Sequence, residues 1–113
     1  MIVDDDEDIR HVLRLLLEFE DFELAAAACT GVEALALAVE HKPDFIILDY
    51  MMPGMAGDET AARLRTLVPN ACIIAFSAIL DGRPAWADAF LIKDRISELV
   101  PLLSNLAPRS GRA

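Results

Sequence analysis

Short β-rich runs alternate along this chain with segments of helical period, and that alternation limits the fold more than any other feature. Strand, helix, strand, helix in succession predicts an α/β domain, a parallel sheet with helices on both faces. The strand candidates are residues 1–3, 22–28, 45–48, 72–76 and 90–92. Between the first two, Ile9, Val12, Leu13, Leu16 and Leu17 recur at the spacing of one buried helical stripe. Residues 31–42 are rich in Ala and Leu and close on Lys42 before Pro43; residues 57–68 repeat the pattern ahead of Pro69 and Asn70. A last helix carries Ile96, Leu99, Val100, Leu103 and Leu106, and Pro101 within it predicts a start near Ser97 with a distorted first turn. The fourth crossover breaks the pattern. Only residues 78–88 join the fourth and fifth strands, and they contain Gly82 and Pro84, so the helix expected there is a single turn or missing.

Composition narrows the class of function. With 113 residues, 55% of them hydrophobic, the chain suits one compact domain, expected over residues 1–107 with a flexible tail at 108–113. Ten Lys plus Arg against nineteen Asp plus Glu leave a net charge of −9, a field that repels nucleic-acid phosphates and anionic lipid. No direct nucleic-acid contact and no membrane contact are therefore expected. Cys29 and Cys72 lie in apolar surroundings without metal-knuckle spacing, as buried free thiols of a reducing compartment do. No apolar run has the length of a membrane span, and the acidic start MIVDDDED is unlike a basic signal sequence. A cytoplasmic location is expected.

In open parallel sheets ligands bind beyond the carboxyl ends of the strands. The first predicted strand ends in Asp4, Asp5 and Asp6, the third in Asp49, the fourth in Ser77 and the fifth in Lys93. Glycine-rich phosphate cradles are missing from the sequence, and three carboxylates in their place would repel a bare phosphate. Such acids call for a cation, and an oxygen donor set suits Mg²⁺, with Mn²⁺ a second fit. A cation, the Lys93 ammonium and the Ser77 hydroxyl around Asp49 would suit phosphoryl transfer onto its carboxylate. The competing reading is that the acids merely cap the first helix, which fits Asp6 best.

Four segments, IVDDDEDIR, PDFIILDYMMPGMAG, IIAFSA and FLIKD, resemble in order the acid pair, phosphoacceptor loop, hydroxyl strand and lysine strand of response-regulator receiver domains. The resemblance covers nearly the whole chain. It implies a doubly wound, flavodoxin-like sheet of order 2-1-3-4-5. It further implies that Asp49 accepts the phosphoryl group, and that Asp4, Asp5, Asp49 and the Met51 backbone carbonyl hold Mg²⁺. Ser77 and Lys93 would bond phosphoryl oxygens, while Ser77 and Phe90 would form the switch. The implied partners are a histidine kinase or phosphotransfer protein and a downstream protein, with the chain a monomer or a phosphorylation-dependent homodimer. On this reading the domain transfers a phosphoryl group to itself and is not a turnover enzyme.

Several residues depart from the family pattern. Lys93 is followed by Asp94 instead of proline, Phe90 lacks a hydroxyl, and Ala56 offers no side-chain cap to the third helix. The first strand is short at its start, as if residues before Met1 were missing from this chain. Met51 and Ile79 are expected to flank the phosphoryl position and obstruct water, giving a long-lived phosphoryl state. Trp86 in the short crossover suits either the core or an exposed partner contact. A phosphohydrolase using Asp49 as nucleophile is disfavoured because Met51 stands where its general acid would be. The other alternative is a receiver-like interaction module whose output does not depend on phosphorylation.

Overall fold

The first strand is the pivot of the sheet. In the computed structural model, which describes residues 1–106, β1 (Ile2–Val3) pairs in parallel with β2 (Ala27–Ala28) on one side and β3 (Phe45–Leu48) on the other. β4 (Cys72–Ser77) and β5 (Ala89–Ile92) extend the sheet beyond β3, giving the order β2-β1-β3-β4-β5, all parallel. This is the doubly wound arrangement expected. The helices are α1 (Glu7–Phe19), α2 (Gly31–His41), α3 (Gly57–Leu67) and, at the carboxyl end, α4 (Leu99–Asn105).

Alternation along the strands divides the core between two faces. Val3, Ile46, Leu48 and Ile73 pack with Ala34 and Ala38 of α2 and Ala61 and Leu64 of α3. Ile2, Ile47, Ile74 and Phe76 pack with Leu13 and Leu17 of α1 and Leu99 and Leu103 of α4. Thr30 caps α2, its hydroxyl accepting from the Glu33 amide while the Glu33 carboxylate accepts from the Cys29 amide. α3 begins at Ala56 with no side-chain cap.

The structure corrects the sequence reading in four places. β2 covers only Ala27–Ala28, not 22–28: Asp21 turns into the left-handed region (φ 63°) and Phe22 donates back to Leu17 O at 2.9 Å. Because β1 starts at Ile2, residues 22–25 have no ladder partner there and serve instead to pack Phe22 and Leu24 against the second cluster. Val12 is 46% exposed, since the buried stripe centres on Leu13 and Leu17, a quarter-turn away. The last helix is preceded by a 3₁₀ segment, Lys93–Glu98, broken at Arg95; α4 starts at Leu99, which puts Pro101 in a first turn whose amides lack helical acceptors. Cys29 is half-buried, whereas Cys72 is buried as expected.

Residues 78–88 contain no helix, only a turn at Ala85 and Trp86. Arg65 of α3 fastens this strap, donating to Trp86 O (3.1 Å), Ala71 O (3.3 Å) and Asp88 Oδ2 (2.9 Å). The same Asp88 oxygen accepts from the Ile73 amide, and Trp86 stacks on Tyr50 with ring centroids 6.1 Å apart. Trp86 is thus half-buried against the α2–α3 face rather than free. Among the described residues no helix is long and apolar enough to cross a membrane. The expected tail, 108–113, lies outside the described residues.

Candidate functional site

Parallel pairing aligns the strand ends, so the residues following β1 and β3 emerge side by side. The Asp49 amide donates to Val3 O at 2.9 Å, and the Asp4 amide donates to Ala28 O at 3.1 Å. Asp4 is buried; its Oδ1 accepts from the Asp6 amide, and its carbonyl accepts from Arg10 Nη1 at 2.8 Å. Asp6 is spent as the α1 cap, accepting from the Asp8 and Ile9 amides. Capping therefore accounts for Asp6 but leaves Asp4 and exposed Asp5 for other work.

Carboxylate oxygens of Asp4, Asp5 and Asp49 lie within 4.8 Å of one another. Lys93 Nζ bridges two of them, 2.8 Å from Asp4 Oδ2 and 3.4 Å from Asp49 Oδ2. Asp4 Oδ2 is buried with this charge pair but no directed hydrogen bond, an oxygen with capacity left for a cation. The all-oxygen donor set fits a hard divalent ion.

Burial first, and then the neighbouring Asp4 charge, raise the Asp49 pKa to about 6 against the pull of Lys93. Burial alone would lower Lys93, but its pairing with Asp4 and then Asp49 outweighs this and its pKa is raised. Asp49 is thus largely ionised at neutral pH and Lys93 is charged.

A recess of about 460 Å³ opens at this point, bordered by Asp5, Asp49, Ser77 and Lys93, with Met51 and Ile79 on its rim. Ser77 is buried, while Met51 and Ile79 are 60% and 62% exposed. Phe90 stands apart from the recess lining, half-buried against the core beneath α2 and α3. The structure thus brings together Asp4, Asp5, Asp49, Ser77 and Lys93.

Two supports of the site escaped the sequence reading. A Cβ on Gly57 would lie 2.5 Å from Asp49 O and 2.7 Å from Tyr50 Cα, so α3 can abut the loop after β3 only through glycine. The glycine at the foot of MPGMAG was a visible signal for this. Arg10, reaching back to the Asp4 carbonyl, had none.

Order 2-1-3-4-5, with acids and a lysine gathered past the carboxyl ends of the strands, defines the class as a doubly wound domain with an acidic cluster at that edge of its sheet. The family model of the response regulator receiver domain matches residues 1–94. The chain belongs to that family, the signalling modules of two-component systems. It is 37% identical over 118 residues to transcriptional regulatory protein PrrA of Mycobacterium tuberculosis, covering 98% of this chain and 50% of PrrA. It is 35% identical to transcriptional regulatory protein PdtaR of the same organism, covering 96% and 56%. The chain thus spans about half the length of these curated relatives. Among solved structures it is similar to a LuxR-family DNA-binding response regulator from Staphylococcus aureus (TM-score 0.80, 32% identity, 91% and 92% covered). It is also similar to TrrA from Thermotoga maritima, solved with Mg²⁺-BeF (TM-score 0.77, 34% identity, 90% and 95% covered).

Proposed function

We propose that residues 1–107 form a receiver domain that takes a phosphoryl group onto Asp49 from a histidine kinase or phosphotransfer protein and thereby alters its affinity for a downstream protein. The carrying observation is the Asp4–Lys93–Asp49 bridge beside Asp5, with Asp5, Asp49 and Lys93 lining one recess and Asp4 buried behind them. Asp4, Asp5, Asp49 and the Met51 carbonyl would hold Mg²⁺ or Mn²⁺, which supplies charge neutralisation for the incoming phosphoryl oxygens. An Asp49 oxygen bonds to phosphorus as the donor's P–N bond breaks, the electron pair leaving with the imidazole. Lys93 and the Ser77 hydroxyl each take a phosphoryl oxygen. Exposed Met51 and Ile79 crowd the approach of water, supporting slow loss of the phosphoryl group. The domain transfers this group to itself and is not a turnover enzyme. Its partners are proteins, with neither nucleic acid nor membrane contacted directly by this domain. A cytoplasmic setting and a monomer, or a homodimer formed on phosphorylation, complete the reading.

Incubation with acetyl phosphate and Mg²⁺, read by intact mass, tests the proposal. One phosphoryl group on the native chain and none on Asp49→Ala is the expected result; no gain from any donor, a kinase included, refutes it. The fastened strap favours one other reading, an interaction module with phosphorylation-independent output. Equal partner binding before and after phosphorylation would establish it.

A further inference from the structure

Asp5 differs from the other two acids of the cluster in what holds its side chain. Asp4 and Asp49 are buried and share Lys93, whereas the exposed Asp5 carboxylate makes no hydrogen bond or ion pair among the described residues. Its place is therefore set by its backbone, and both peptide groups flanking it are tied. The peptide joining Asp4 to Asp5 is held at its oxygen, which accepts from Arg10 Nη1 at 2.8 Å. The peptide joining Asp5 to Asp6 is held at its nitrogen, which donates to Asp4 Oδ1 at 2.9 Å. Arg10 also closes the turn through its own amide, which donates to Asp6 O at 3.0 Å.

Resting on the receiver reading above, we infer that Arg10 is a positioning residue for the metal site: its guanidinium pins the Asp4–Asp5 peptide, keeps the Asp5 carboxylate within reach of Asp4 and Asp49, and so strengthens Mg²⁺ binding. Arg10 forms no ion pair with the cluster among the described residues; it acts through the backbone. The three carboxylates converge to within 4.8 Å, and a loose turn would have to be ordered each time a cation drew them together. Pinning the turn beforehand removes that cost from binding. Two effects of an arginine on a nearby cation site oppose each other. Its charge repels Mg²⁺, so on charge alone its loss would tighten binding, whereas loss of its grip on the peptide weakens binding. Contacts that orient a ligand from outside the coordination sphere change metal affinity by about tenfold or more, so the grip decides the sign.

Titration of the native chain and Arg10→Met with Mg²⁺, followed by amide NMR, tests this, together with backbone order parameters before metal is added. Arg10→Met keeps the apolar stem and the amide bond to Asp6 O and loses only the guanidinium. It should bind Mg²⁺ about tenfold more weakly than the native chain. Order parameters should fall at Asp5 and Asp6 and stay unchanged at Asp49. Equal or tighter Mg²⁺ binding by Arg10→Met overturns the inference and leaves the receiver reading intact. Weaker binding with Asp49 loosened to the same degree also overturns it, since general softening of the fold would do that. If circular dichroism shows Arg10→Met unfolded, Arg10→Gln, neutral and shorter than arginine, takes its place with the same expectations. A native chain that binds no Mg²⁺ overturns the receiver reading and the inference together.

Discussion

The third and fourth crossovers solve the same problem in different ways. Each carries the chain from the carboxyl end of one strand back to the amino end of its neighbour, and each starts at a site residue, Asp49 or Ser77. The third does so with α3, whose amides and carbonyls are satisfied within the helix itself. The fourth has no helix, so carbonyls at Trp86 and Ala87 are met by arginine side chains and the Asp88 carboxylate stands in for part of a ladder. A helical crossover depends on its packing against the sheet, but a strap depends on individual side chains. Membership of the receiver family thus coexists here with a fourth crossover held by side chains instead of a helix.

Two glycines sharpen this contrast most strongly. Gly57→Ala drives a Cβ into the Asp49–Tyr50 backbone, neither side of which can rotate away, and should cost about 3 kcal/mol or more in urea denaturation while slowing Asp49 modification. Gly82→Ala meets nothing within 4 Å and should leave stability within about 1 kcal/mol of native. Comparable losses at both positions would break the distinction between a packed crossover and a loose one.

Arg65→Ala is the next largest. It removes the ion pair to the partly buried Asp88 carboxylate, which keeps the Ile73 amide, and takes a donor from Trp86 O and Ala71 O, for an expected loss of about 2–3 kcal/mol. Differential scanning calorimetry checks the magnitude, and exchange at Ala87 checks that the loss is in the strap. An unchanged strap would mean that Trp86 stacking, the Arg83 bond to Ala87 O and the backbone bond from Asp88 to Ile73 O hold it without Arg65.

Local and strand-end features were legible in the sequence to the extent that they depend on local spacing. Asp4, Asp49, Ser77 and Lys93 each end a recognisable apolar run, and parallel topology then brings those ends together, so the site followed from the fold. The Arg65–Asp88 pairing did not, because nothing in the spacing of two residues far apart in the chain marks them as neighbours. β2 was overextended for a related reason: apolar content in Phe22 and Leu24 signals burial, and only pairing with another strand makes burial a strand. The missing helix of the fourth crossover was legible, since too few residues were available to build one.

Between the crossovers, Asp49 carries a charge that the fold tolerates at a cost. Its folded pKa of about 6 lies above the ordinary 3.8, so the native state holds the proton to higher pH than the unfolded chain. In metal-free buffer its contribution to stability should fall between pH 4 and 6 and then level off, by about 2–3 kcal/mol from a shift of this size. Asp49→Asn should remove that slope and be the more stable protein at pH 7. Mg²⁺ should narrow the gap by stabilising the native chain more than the variant. A native protein with no such slope would mean that Lys93 neutralises Asp49 fully and that the recess carries no electrostatic strain.

The smallest effect addresses the helical crossover alone. α3 starts at Ala56 without a side-chain cap, although the Ala56 backbone is already extended (φ −70°, ψ 169°), as a capping residue requires. Ala56→Ser supplies the missing acceptor for the first-turn amides and should add roughly 0.5–1 kcal/mol in thermal unfolding. Thr30→Ala should subtract a similar amount at α2, where the hydroxyl bond to the Glu33 amide already exists. Neither change should alter exchange in residues 84–88, because a cap acts on the first turn of its own helix, whereas Arg65, whose side chain bonds the strap, stands in the last turn of α3. If capping α3 does slow exchange in the strap, the two crossovers are one mechanical unit, and Asp49 and Ser77 report to a single surface.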